Sequence, residues 1–331
     1  MRVVAGIVLG LALLCACVSK PAPAAPQRIA EARYLTIGGI EQWVTMRGND
    51  DRKPVLLLLH GGPGDVQSAF ASAYVPYERD FVLVQWDQRG AGRTFAKNGA
   101  AGVSLEKLVA DGIDLSQQLR ARFPGHRLIL MGHSWGTIIG SGMAQQRPEL
   151  FDAYVGTGQV AAWADTVQWQ FDFLKQRYRE TGNAAELAKL EAIGKPDPKN
   201  IAQYFGWSRA LRQNGGPADA GWFKDMMATA KANGETDETI KAASAGQSAS
   251  GAALIGVTVL TDLPVTAPAF RMPYYVIQGR DDLNAPTALA RAYFDKVQTP
   301  RKQYAVIEDA GHFALATHAA EFDRLLTAMV R

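Results

Sequence analysis

A chain of 331 residues, 47% hydrophobic and 20% charged with a formal net charge of +3, has the length and composition of a globular protein with a sizeable core. That charge balance has no basic excess to draw it to nucleic acid. Its two cysteines, Cys15 and Cys17, stand together near the start, which rules out a disulfide framework or a Cys/His metal set in the rest of the chain, and no cofactor or metal is expected.

Residues 1–17, MRVVAGIVLGLALLCAC, carry an early Arg2 and then an apolar run too short for a comfortable membrane span, which reads as an export leader. The ending Leu14-Cys15-Ala16-Cys17 resembles a bacterial lipobox. That resemblance implies a lipid on Cys17 and attachment to a membrane on its periplasmic side. The other reading is a plain secretory leader cut near Ala22-Pro23-Ala24, leaving a soluble exported protein. Residues 18–32, with Pro21-Ala-Pro-Ala-Ala-Pro26, read as an extended tether.

From residue 33 short β-rich runs alternate with helical ones, with strands expected at 33–37, 40–46, 55–59, 81–86, 127–131 and 152–156. The unbroken apolar runs at 55–59 and 127–131 suit central strands covered on both faces. Between them, apolar residues at 105, 108, 109, 113, 115 and 119, stopped by Pro124-Gly125, predict a helix over 104–123. From 158 to 261 the strand pattern gives way to helical sequence rich in Trp, Gln and Ala, read as an inserted helical cap. A stripe of Trp163, Val167, Phe171, Leu174 and Tyr178 is expected to pack that cap onto the core. The Ala/Ser/Gly bias of 237–252 leaves helix and irregular chain both open. Strands return at 274–278 and 303–307, and a helix closes the chain at 318–330. The core is then 33–157 with 262–331, an α/β fold with a mostly parallel central sheet and helices on both faces.

Gly132-His-Ser-Trp-Gly136 puts one serine between two glycines at a strand-to-helix junction, the context in which G-x-S-x-G carries a nucleophile. A serine hydroxyl needs a histidine base, itself oriented by a carboxylate. Of five histidines, His60 and His133 sit inside glycine motifs, His126 in a turn, and His318 at the start of the last helix. His312 follows the last strand in a loop and is the expected base. In Gly279-Arg-Asp-Asp-Leu-Asn-Ala-Pro286, Asp282 is the expected acid, with Asp281 facing solvent or capping a helix. The glycines of His60-Gly-Gly-Pro-Gly64 would let backbone come close to a developing oxyanion, with the N–H groups of Gly62 and Trp135 as donors. The order Ser134, Asp282, His312 is that of the α/β-hydrolases.

Together HGGPG at 60–64, Asp87-Gln-Arg-Gly-Ala-Gly92 after a strand, and GHSWG at 132–136 resemble the proline iminopeptidase branch of the α/β-hydrolases. The resemblance covers about 33–157 and 262–331. It implies a cofactor-free serine exopeptidase that cleaves an N-terminal residue through an acyl-enzyme, with Ser134 the nucleophile, His312 the base and then acid, Asp282 the orienter, and Gly62 and Trp135 holding the oxyanion. Asp87 and Arg89 are expected to pair beneath the site. The resemblance also implies acidic cap residues that read the substrate's amine, but Tyr204-Phe-Gly-Trp207-Ser208 has a serine where glutamate is expected. A small peptide or ester is the expected substrate. The alternatives are a carboxylesterase or amidase with the same triad, its pocket lined by some of Trp163, Trp169, Trp207 and Trp222, and a lipoprotein that binds without catalysis.

Overall fold

The structure, a computed structural model, describes residues 25–331 apart from 195–196, 198, 201, 204–210 and 212–219, with backbone alone at 220–225. The leader and the Tyr204–Ser208 segment lie outside the described residues. Eight strands form one sheet: β1 (Ile29–Ile37), β2 (Ile40–Gly48), β3 (Val55–Leu59), β4 (Val82–Trp86), β5 (Leu128–His133), β6 (Ala153–Thr157), β7 (Tyr274–Gly279) and β8 (Lys302–Ile307). Their order is β1-β2-β4-β3-β5-β6-β7-β8. The pairs β1–β2 and β2–β4 are antiparallel and the remaining pairs parallel.

Strand periodicity explains why β3 is apolar throughout. Val55, Leu57 and Leu59 enter one core, while Leu56 and Leu58 enter a second on the opposite face. β5 divides likewise, with Leu128 and Leu130 on one side and Ile129 and Met131 on the other. Because β3, β5, β6, β7 and β8 run parallel, the segments that leave them emerge along one rim, where open α/β sheets place their ligands.

Helix α1 spans Gly92–Asn98, and α2 (Leu105–Arg122) starts at Ser104, whose side chain accepts from the Lys107 N–H. Helix α3 (Trp135–Gln146) follows β5. Between β6 and β7 lie α4 (Trp163–Glu180), α5 (Ala184–Ile193), α6 (Ala220–Ala232) and α7 (Asp237–Thr258). The stripe on α4 packs both against its neighbour in the cap and against the core. Val167, Phe171, Leu174 and Tyr178 join Leu190 and Leu211 in a cluster where α5 lies against α4, and Leu283 of the core packs against the same cluster. Gln170 on the same helix adds a polar contact to the core, its Nε2 donating to the Leu283 carbonyl at 2.8 Å.

The small residues of 237–252 form a continuous helix, opened by a Thr236/Thr239 capping box. Their size permits close approach. A Cβ on Gly246 would lie 2.9 Å from the Gly90 carbonyl oxygen, and Ser250 Oγ donates to that carbonyl at 2.8 Å.

Candidate active site

Ser134 joins β5 to α3 with φ 55° and ψ −120°, a conformation that L residues rarely adopt and that costs about 1–3 kcal/mol. Two contacts impose it: Ser134 N–H donates to the Thr157 carbonyl at 3.0 Å, and Thr137 N–H donates to the Ser134 carbonyl at 2.8 Å. The flanking glycines are sterically required. A Cβ on Gly132 would stand 2.6 Å from the Gly136 carbonyl oxygen, and one on Gly136 would collide with the Leu59 carbonyl.

His312 and Asp282 are buried, and His312 Nδ1 lies 3.0 Å from each Asp282 oxygen. Asp282 Oδ1 also accepts the N–H groups of Asn284 and Ala285, at 2.9 and 2.8 Å, and Oδ2 accepts Gln278 Nε2 at 2.8 Å. So fixed, the carboxylate orients the ring with a proton on Nδ1, the tautomer whose Nε2 is a base. Asp281 is exposed.

Ser134 and His312 each pack against the turn after β6. Thr157 holds the Ser134 backbone, and a Cβ on the next residue, Gly158, would be 2.9 Å from His312 Cε1. Both line a cavity of about 340 Å³ together with Gly62, Trp135, Ile138 and Trp163. The structure therefore brings His312 and Asp282 into contact and sets Ser134, Gly62 and Trp135 in the same wall. Contacts between a catalytic serine and its base often tighten only when substrate binds. The Gly62 and Trp135 N–H groups donate to no acceptor among the described residues, as oxyanion donors require.

The other histidines have structural posts. His60 accepts the Gln88 N–H on Nε2 at 3.1 Å, tying the HGGPG loop to the 87–92 turn, and burial pushes its pKa down to about 4. His126 Nε2 lies 2.8 Å from the Asp51 carbonyl, and His318 immediately precedes the closing helix, Ala319–Val330. His133 is held far below the ordinary histidine range, first by burial and then by nearby His312. Neutral, it accepts Gln67 Nε2 on Nδ1 at 2.9 Å and donates from Nε2 to the His312 carbonyl at 3.0 Å. It thereby braces the loop that carries the base.

Asp87 and Arg89 do not pair with each other. Arg89 makes a two-pronged contact with Asp111, at 2.8 and 3.0 Å, whereas Asp87 accepts Ser68 Oγ at 2.5 Å and the Arg93 N–H at 2.9 Å. Burial, the largest influence, raises Asp87 to about 6. Of the candidate tryptophans, Trp163 lines the cavity, Trp169 stacks on Phe173, and Trp207 lies outside the described residues, as does the side chain of Trp222. Cap residues Asp165, Asp172, Glu180 and Glu238 are exposed. Sequence reasoning missed Gln278, Gln67 and Asp65; the available signals were a glutamine ending an apolar strand and a carboxylate directly after the glycine loop.

Residues 54–319 match the family model described as the alpha/beta hydrolase fold. A probable aminopeptidase of Bacillus subtilis (strain 168) is 28% identical over 298 residues, covering 86% of this chain and 91% of that protein. A proline iminopeptidase-related protein from Thermus thermophilus superposes with a TM-score of 0.63 at 19% identity, over 91% of this chain and 97% of that one. An epoxide hydrolase from Vigna radiata gives 0.59 at 20% identity, over 91% and 97%. The two structural likenesses show a shared fold, which unrelated activities use.

Proposed function

The chain belongs to the α/β-hydrolase family, and from that premise we propose that it is a serine aminopeptidase that removes N-terminal residues from short peptides. In this reading Ser134 Oγ adds to the scissile carbonyl carbon while its proton passes to His312 Nε2. The carbonyl oxygen becomes an oxyanion between the N–H groups of Gly62 and Trp135. The carbon–nitrogen bond then breaks, His312 gives its proton to the departing amine, and the N-terminal residue remains as an ester on Ser134. Water adds to that ester and loses a proton to His312. Ser134 recovers the proton as the amino acid leaves.

The observation that carries the proposal is the His312–Asp282 contact at the wall of the cavity that Ser134, Gly62 and Trp135 share. Choice of aminopeptidase draws on the Bacillus relative together with the three sequence motifs. The test compares alanyl and prolyl arylamides with their N-acetylated forms, beside p-nitrophenyl acetate. Preference for the free amines supports the proposal. Equal turnover of blocked and free amides would favour the carboxylesterase or amidase reading, for which the apolar Ile138, Val160 and Trp163 walls speak. Labelling by a fluorophosphonate probe that is lost in Ser134→Ala supports catalysis; a wild-type protein that does not label would leave a binding protein.

Export belongs to the same proposal, on the strength of residues 1–17. Metabolic labelling with palmitate in a bacterial host should mark the protein and fail to mark Cys17→Ser. Label on neither would leave only the plain secretory leader.

A further inference from the structure

A second chamber, of about 150 Å³, lies behind the glycine loop. It is enclosed by the 3₁₀ stretch Ser68–Arg79, α1 and the cap helices α6 and α7. Val66, Phe70, Met226, Ala230, Ile240 and Ala243 give it an apolar wall. Asp65 and Gln247 belong to this wall and also to that of the catalytic cavity, so the two spaces meet there.

Asp65 differs from the other charged groups of the chamber. Asp87 is held by Ser68 and the Arg93 N–H, and Glu235 pairs with the Arg93 guanidinium at 2.9 Å. The Asp65 side chain accepts only the N–H of Val66, at 2.8 Å, and forms no ion pair among the described residues. The loop turns so tightly that a Cβ on Gly62 would stand 2.6 Å from Asp65 N and 3.3 Å from Asp65 Cβ. The residue that carries this carboxylate is thus folded back against the residue that supplies an oxyanion donor, and both line the catalytic cavity.

The chemistry of an aminoacyl group fits this arrangement. Its amine and its side chain both branch from the carbon next to the reacting carbonyl. With the carbonyl oxygen at the Gly62 and Trp135 amides, a charged amine needs an anion close by, and the side chain needs apolar space beyond. We propose that Asp65 receives the substrate's α-ammonium and that the chamber behind it takes the side chain of the N-terminal residue. The inference rests on the aminopeptidase reading and narrows it. A cavity of about 150 Å³ holds a benzene-sized group, so the chamber suits leucine, methionine or phenylalanine. Proline, whose ring closes back on its own nitrogen, leaves it unfilled.

The experiment measures kcat/KM for leucyl, alanyl and prolyl p-nitroanilides and for N-acetyl-leucyl p-nitroanilide, using wild type, Asp65→Asn and Ala243→Leu. In the wild type, leucyl should exceed alanyl and prolyl by roughly 10- to 100-fold, the gain from burying one such side chain. Asp65→Asn keeps an acceptor for the Val66 N–H and should cut the free-to-acetylated ratio at least about tenfold, a change in selectivity that mere loosening of the loop would not produce. Ala243→Leu intrudes on the chamber and should cut the leucyl-to-alanyl ratio by about tenfold. A wild type that prefers free amines, with both ratios unmoved in the variants, overturns the inference and leaves the aminopeptidase reading standing. A wild type indifferent to acetylation defeats that reading itself. Should Asp65→Asn not fold, judged by its thermal melt, Ala243→Leu decides the side-chain site alone and Asp65→Glu the amine site.

Discussion

Replacing Asp282 by asparagine tests the site at its most constrained point. Oδ1 accepts two backbone N–H groups, from Asn284 and Ala285, and only an oxygen satisfies both. The amide nitrogen must then occupy the Oδ2 position, where Gln278 Nε2 already donates at 2.8 Å and His312 Nδ1 stands at 3.0 Å. Gln278 cannot turn its oxygen to the new donor without loss, because that oxygen accepts the Gln159 N–H at 3.0 Å. Facing an N–H donor, the His312 ring presents a bare Nδ1 and carries its proton on Nε2, the atom that has to take the serine proton. An orienting carboxylate replaced by its amide costs on the order of 10⁴ in kcat in the serine protease example, or about 5 kcal/mol of barrier. Two donors left opposed in a buried place cost about 1–3 kcal/mol of stability. Steady-state hydrolysis of p-nitrophenyl acetate reads the first effect and a thermal melt the second. A loss of activity below about tenfold in a folded Asp282→Asn protein would refute the assignment of Asp282 as the group that orients the base.

Five further substitutions probe the framework. Ser134→Gly and Ser134→Ala should both abolish turnover, but the glycine variant should be the more stable by about 1 kcal/mol, since only it accepts φ 55° without strain; equal urea midpoints would contradict stored strain at the elbow. Gly136→Ala should cost about 3 kcal/mol, because its Cβ meets the Leu59 carbonyl, whereas Gly251→Ala, with open space around the new Cβ on helix α7, should add about 0.5–1 kcal/mol; denaturant titration of the pair checks both signs. His60 makes the protein sensitive to acid. Its folded pKa of about 4 lies below the unfolded value of about 6.5, so its share of stability is complete above pH 6.5 and is lost as pH falls toward 4. Between pH 6.5 and 5 that share is about 2 kcal/mol. His60→Gln retains an acceptor for the Gln88 N–H and should lose about 2 kcal/mol less than wild type over the same span; parallel acid slopes in urea unfolding would count against a buried neutral His60.

Much of the architecture was legible in the sequence because its causes are local. Strand alternation, the Ser104 cap before α2 and the glycines around Ser134 express sterics and hydrogen bonding over a few neighbouring residues. Chain order alone put a serine, an aspartate and a histidine after three apolar runs, and parallel strands carry such segments to one rim. The identity of Asp282 over Asp281 followed from spacing, and burial separates the two in the fold.

Tertiary structure decided which distant groups meet. The sheet order places β4 outside β3 and β7 beside β6, an arrangement of long crossovers that no local pattern records. Arg89 therefore finds Asp111 and not Asp87, and His133 reaches the backbone of a residue 179 positions away. The small residues of α7 read ambiguously because helix propensity does not reveal the neighbour that makes smallness useful, here the Gly90 turn. The meeting of the two cavities at Asp65 is of the same kind. Local chemistry is written along the chain, while the juxtaposition of groups depends on how the whole sheet is stacked and covered.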